Sequence, residues 1–109
     1  MKIVKRIKLL SLALGISLAL ATMVEAHTPL CTCFDNGDGT ITCEGGFSDG
    51  SSAAGVAMRV IGKDGKVVLE GKMNADSEFT FPRPQTAFRV QFSAGPGHEV
   101  EIDGGEISQ

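Results

Sequence analysis

The chain contains no tryptophan and no tyrosine, and only two histidines, His27 and His98, in 109 residues. Without indoles or phenols there is no aromatic platform for a sugar ring and no tyrosine to stand beside a copper ion. Phe supplies every aromatic side chain, six in all, and most sit at the alternating positions of core strands. Strong helix-forming runs are few. No uncharged run reaches the roughly 20 residues that a membrane-spanning helix needs; the longest, Leu9 to Val24, falls short. Basic residues are scarce beyond the first segment, which holds Lys2, Lys5, Arg6 and Lys8. Residues 27–109 therefore carry 6 Lys and Arg against 12 Asp and Glu, a net charge near −6. Phosphate binding needs the opposite sign, so the composition argues against nucleic acid as a partner. An acidic surface suits solubility and is compatible with cation capture.

What is present begins with an export signal. The four basic residues form an n-region, Leu9 to Ala21 an apolar h-region, and Val24-Glu25-Ala26 a small-residue cleavage site. Cleavage after Ala26 makes residues 1–26 a signal peptide and His27 the mature N-terminus, giving a periplasmic or secreted protein not embedded in a membrane. A second site, Ala19-Leu20-Ala21, would instead start the chain at Thr22. Thr28-Pro29-Leu30 ahead of Cys31 does not fit a lipobox. The remaining residues 27–109 suffice for one small domain.

Thirteen glycines and several short alternating apolar segments in that domain predict an all-β fold. Leu30 to Phe34 and Thr40 to Cys43 flank Asp35-Asn36-Gly37-Asp38-Gly39, a turn cluster, and make a first hairpin over 28–44. Cys31 and Cys33 share one face of their strand, as do Ile41 and Cys43 of theirs. Gly45 to Gly55 reads as a flexible connection. The main sandwich is expected over 55–103: Val56, Met58 and Val60 face one way, and Lys63 to Lys66 turns the chain into Val67–Lys72. Asn74 to Ser77 turns it again into Glu78–Phe81, which Pro82 and Pro84 stop. Phe88, Val90 and Phe92 mark a central core strand, and Val100 and Ile102 the inner face of the last one. The tail from Gly104 is expected to fray. About seven short strands make a small Ig-like sandwich.

The run from Gly55 to Ile102 (GVAMRVIGKDGKVVLEGKMNADSEFTFPRPQTAFRVQFSAGPGHEVEI) resembles the transthyretin-like, carboxypeptidase-regulatory-like β-sandwich pattern of strand, D-G turn, strand, "dG.f.f" strand and "yrV.f" strand. It departs from the pattern at Ser77-Glu78, where the family often has glycine. Export, a histidine just past the signal and the AGPGH segment are similar to exported accessory proteins of bacterial nickel and cobalt uptake that carry this fold. The resemblance implies a metal-handling role.

His27 and His98 are the nitrogen candidates. A mature N-terminal His27 offers its α-amine and its ring, and His98, at the mouth of a strand after a Gly-Pro-Gly turn, offers a second ring. Three nitrogens of this kind suit Cu(II) or Ni(II). The bland alternative is an exposed terminal histidine and an unrelated turn histidine. The histidine brace also occurs in polysaccharide-cutting copper oxygenases, but the missing Trp and Tyr favour binding over catalysis, with a small copper oxidase as the lesser alternative. Delivery of the ion to a membrane transporter would follow from the binding reading.

Three cysteines are an odd number for an exported chain. A bridge from Cys43 to Cys33 or to Cys31, with Cys33 and Cys43 the candidate pair, would staple the first hairpin in an oxidising compartment, and a stapled module without a ligand is the main alternative function. Cys31, Cys33 and Cys43 are also candidates for a thiolate site for a soft metal, with His27 as a fourth ligand, although C-x-C is not the usual structural zinc spacing. One disulfide plus one reactive cysteine is the mixed outcome. Asp35 to Gly39 lacks oxygen ligands at both ends of a calcium loop and reads as a turn. Gly46-Phe47-Ser48-Asp49-Gly50 matches the serine-hydrolase string G-x-S-x-G, but no α/β sheet surrounds it, so the match is accidental.

Overall fold

A computed structural model describes residues 27–109; the expected signal segment 1–26 and both candidate cleavage sites lie outside the described residues. Seven strands run in the expected order: β1 (Pro29–Asp35), β2 (Thr40–Phe47), β3 (Ala57–Gly62), β4 (Val67–Lys72), β5 (Glu78–Pro82), β6 (Phe88–Ser93) and β7 (Glu99–Asp103). They form two antiparallel sheets, β1-β2-β5 and β4-β3-β6-β7. The fold is an all-β sandwich of the Ig-like kind, with β4 beside β3 on the four-stranded sheet. The first hairpin supplies two of the three strands of one layer, and β5 crosses over to complete it.

Alternation sets the core, because successive side chains of a strand point to opposite faces. Ile41 and Cys43 of β2, Met58 and Val60 of β3, Phe81 of β5, and Phe88, Val90 and Phe92 of β6 are buried. Phe81 meets Phe88 edge to face at 6.4 Å and stacks on Phe79 at 5.8 Å. The Phe81–Phe88 contact, from β5 to β6, joins the two sheets.

Two expectations are overturned. Gly45 to Gly55 is not simply a flexible connection: β2 continues through Phe47, and Ala53 is fully buried. Gly45 belongs in the strand because a Cβ there would come within 2.6 Å of the Met73 sulfur and 2.7 Å of the Phe92 ring. The tail does not fray either. Residues Gly104–Glu106 form a 3₁₀ turn capped by Asp103, Ile107 is buried, and the Asp35 amide donates to the Ser108 carbonyl. Arg83 ties the tail down: its guanidinium donates to the carbonyls of Gly104 and Ile107 and to Asp35, and lies over the Phe88 ring. Polar anchoring of this kind leaves no trace in hydrophobic periodicity.

Ser77 has φ 60, the only non-glycine with positive φ among the described residues. Its hydroxyl accepts from the amide of Ala53 at 2.9 Å, and its carbonyl accepts from Gly45. Ser77→Ala keeps the left-handed strain and strands the Ala53 donor, and is expected to cost about 1–2 kcal/mol in urea unfolding. Ser77→Gly loses the same hydrogen bond but removes roughly 1 kcal/mol of strain, so it should be the milder change.

Asp35 carries a pH signature. The Gly37 amide and then the Arg83 guanidinium hold its carboxyl below the ordinary value of 3.8. A group depressed on folding stabilises the fold fully above its unfolded pKa and loses that contribution as pH falls through the folded value. Between pH 4 and the acid limit, Asp35→Asn should therefore show a shallower loss of melting temperature than the parent. Parallel acid profiles would contradict the Asp35–Arg83 tether.

Candidate metal centre

The β1–β2 register builds this end of the molecule. Cys33 lies opposite Cys43 and Pro29 opposite Phe47. The ladder runs one step further, where the Thr28 amide donates to Ser48 Oγ at 3.0 Å and the Ser48 amide to the Thr28 carbonyl at 2.9 Å. One more residue brings His27 opposite Asp49, and His27 Nδ1 lies 2.7 Å from Asp49 Oδ2. The Ser51 hydroxyl and amide hold the Asp49 carboxyl below its ordinary pKa, with a smaller contribution from His27. Asp49 is thus an anion prepared to orient the ring.

His98 arrives from the other sheet. Val100 lies opposite Phe92 in the β6–β7 ladder, and the Ala94 amide donates to the His98 carbonyl at 3.0 Å beyond it. The turn between them needs two left-handed glycines, Gly95 (φ 118) and Gly97 (φ 76). His98 Nδ1 lies 3.1 Å from the Pro96 carbonyl oxygen.

His27 is in phase with Pro29 and Cys31 on β1, and His98 with Val100 on β7. Each stands just past the end of its strand's inner face, so both reach the same end of the sandwich. They line one pocket of about 230 Å³ with Phe47, Ser51 and Ala94. Phe47 packs against Phe92 at 6.1 Å below. The rings share the pocket without belonging to a set of three or more His, Cys, Asp or Glu ligand atoms within 4.8 Å of one another; among the described residues only Cys31, Cys33 and Cys43 form such a set.

Cys33 and Cys43 form the disulfide, between directly opposed residues of β1 and β2. Cys31 remains a free thiol, half-buried opposite Gly45. The hairpin is therefore stapled, and in this oxidised state the sulfur group presents one thiol in place of three.

Asp49 was not legible as a site residue. Its sequence context marks only a turn, and that turn is what carries it to the end of β2 opposite His27. Compared with known proteins, the chain matches no family model, no curated protein and no solved structure.

Burial pushes the Cys31 thiol up to about 11. Thiolate is the reactive form, so iodoacetamide labelling of Cys31 should be slow at pH 8 and keep accelerating towards pH 11. Mass spectrometry of the labelled protein reads this directly; a rate that levels off by pH 9 would contradict the assigned burial.

Proposed function

We propose that the chain is an exported protein that binds copper or nickel at His27 and His98 and holds the ion for transfer to a membrane metal transporter. The observation that carries this reading is the convergence of the two histidines on one pocket from two different sheets. Each ring already has an oxygen at Nδ1, Asp49 for His27 and Pro96 for His98. That leaves His98 Nε2 free for a metal, and metal-binding imidazoles are characteristically oriented by a carboxylate or carbonyl in this way. Cleavage after Ala26 adds the His27 amine at the same place. The amine and Nδ1 of one residue can close a chelate ring, so the brace forms when His27 turns Nδ1 from Asp49 to the metal. Nitrogen-rich coordination suits Cu(II) and Ni(II), and the Asp49 carboxylate offsets part of the ion's charge.

The exposure of both histidines favours delivery over storage, since a partner has access to the ion. The disulfide fits an oxidising compartment outside the cytosol. The resemblance to transthyretin-like accessory proteins of nickel and cobalt uptake points the same way. A second reading is favoured by the Cys33–Cys43 staple itself: a structural or interaction module without a ligand.

Cu(II) and Ni(II) titration of the mature protein, with its N-terminus verified by mass spectrometry, tests the proposal. One equivalent should bind, and His98→Ala should weaken it by roughly tenfold or more, since loss of a mere orienting partner already costs roughly 10–100-fold. Unchanged affinity in His98→Ala, or a native chain beginning at Thr22, contradicts the site.

A further inference from the structure

Beyond the histidine pocket, the sulfur atoms of Cys31, Cys33 and Cys43 lie within 4.8 Å of one another between the two sheets. Three equal metal–sulfur bonds of about 2.3 Å in a plane place the sulfurs about 4.0 Å apart, a separation inside the 4.8 Å that encloses the set and reachable only when the Cys33–Cys43 bond is open. Cys31 and Cys33 share the inner face of β1, and Cys43 projects from the inner face of β2 directly opposite Cys33. No fourth Cys, His, Asp or Glu ligand belongs to this group among the described residues. The donor set is purely soft and three-fold.

We infer that this sulfur cluster is a redox-gated site for a soft, d¹⁰ cation, with Cu(I) as the matching first-row ion: closed by the Cys33–Cys43 disulfide and opened by reduction. A dithiol or phosphine reductant supplies two electrons and, with two protons, converts the disulfide to two thiols while the reductant is oxidised. Cu(I) then replaces the three S–H protons, forming three Cu–S bonds and releasing three protons to solvent. Thiolate ligands select Cu(I) over the harder divalent ions that suit imidazole. The protein thus carries a nitrogen site and a sulfur site whose preferences differ by oxidation state. The sulfur site does not depend on processing at Ala26.

Cu(I) supplied as the complex of a chromophoric chelator, under anaerobic conditions, provides the test. Phosphine-reduced full-length mature protein should withdraw one equivalent, and X-ray absorption should show three sulfur neighbours near the bond length above. The unreduced protein should withdraw at least tenfold less. Cys31→Ser, which leaves the disulfide pair intact, should lower the reduced protein's affinity at least tenfold, whereas His98→Ala should leave it unchanged. Equal capture before and after reduction, capture indifferent to Cys31→Ser, or a nitrogen-dominated copper shell would overturn the inference. Loss of strand circular dichroism on reduction would overturn it too, because the site requires the fold. Failure here leaves Cu(II) and Ni(II) binding at the histidines untouched, and a failed histidine site leaves this one standing.

Discussion

One register organises the molecule: Cys33 directly opposite Cys43 in the β1–β2 ladder. Because side chains alternate faces along a strand, a slip of β1 by one residue against β2 would turn Cys31 and Cys33 outwards and bring Leu30, Thr32 and Phe34 inwards. The disulfide makes that slip impossible without breaking a covalent bond. Carried towards the N-terminus, the same register sets Cys31 beside Gly45, Pro29 beside Phe47, and His27 beside Asp49. The core of one sheet and the position of the first histidine are therefore consequences of a single pairing. The second histidine is set independently, by the β6–β7 ladder and its two left-handed glycines.

Much of this was readable because it depends on period-two alternation. The seven strands, the burial of Val90 and Phe92 and the inward faces of Phe79 and Phe81 all follow from local pattern. Cys33 and Cys43, the pair put forward as the disulfide candidate, are the ones joined; what excludes Cys31 is the loop length between β1 and β2, which sets Cys33 opposite Cys43. Hydrogen bonds from Gly37 and Thr40 to Asp35 and Asp38 shape that loop, and turn-forming composition alone does not fix the pairing.

The features that escaped the sequence are polar and long-range. Arg83 reaches back to the tail and to Asp35 across 48 residues, an anchor that no periodicity encodes. Ser77 adopts a backbone conformation that normally marks glycine, and its hydroxyl makes the position useful by holding the Ala53 amide. Asp49 shows the same limit at the candidate site. An acidic residue in a turn is commonplace, and only the extended ladder gives it His27 as a neighbour.

The two candidate centres divide along chemical lines, nitrogen at the exposed end of the sandwich and sulfur between its sheets. The central claim is that both histidines serve one ion at that end. Amide NMR of the ¹⁵N-labelled mature protein during addition of substoichiometric Cu(II) tests it most directly, since the paramagnetic ion broadens only nearby signals. The account predicts simultaneous loss of the signals from Thr28, residues 47–51, Ala94, Gly95, Gly97 and His98, with those of the β3–β4 turn at Lys63 to Lys66, at the other end of the sheet, untouched. Broadening confined to the N-terminal residues, with 94–98 unaffected, would contradict a shared site.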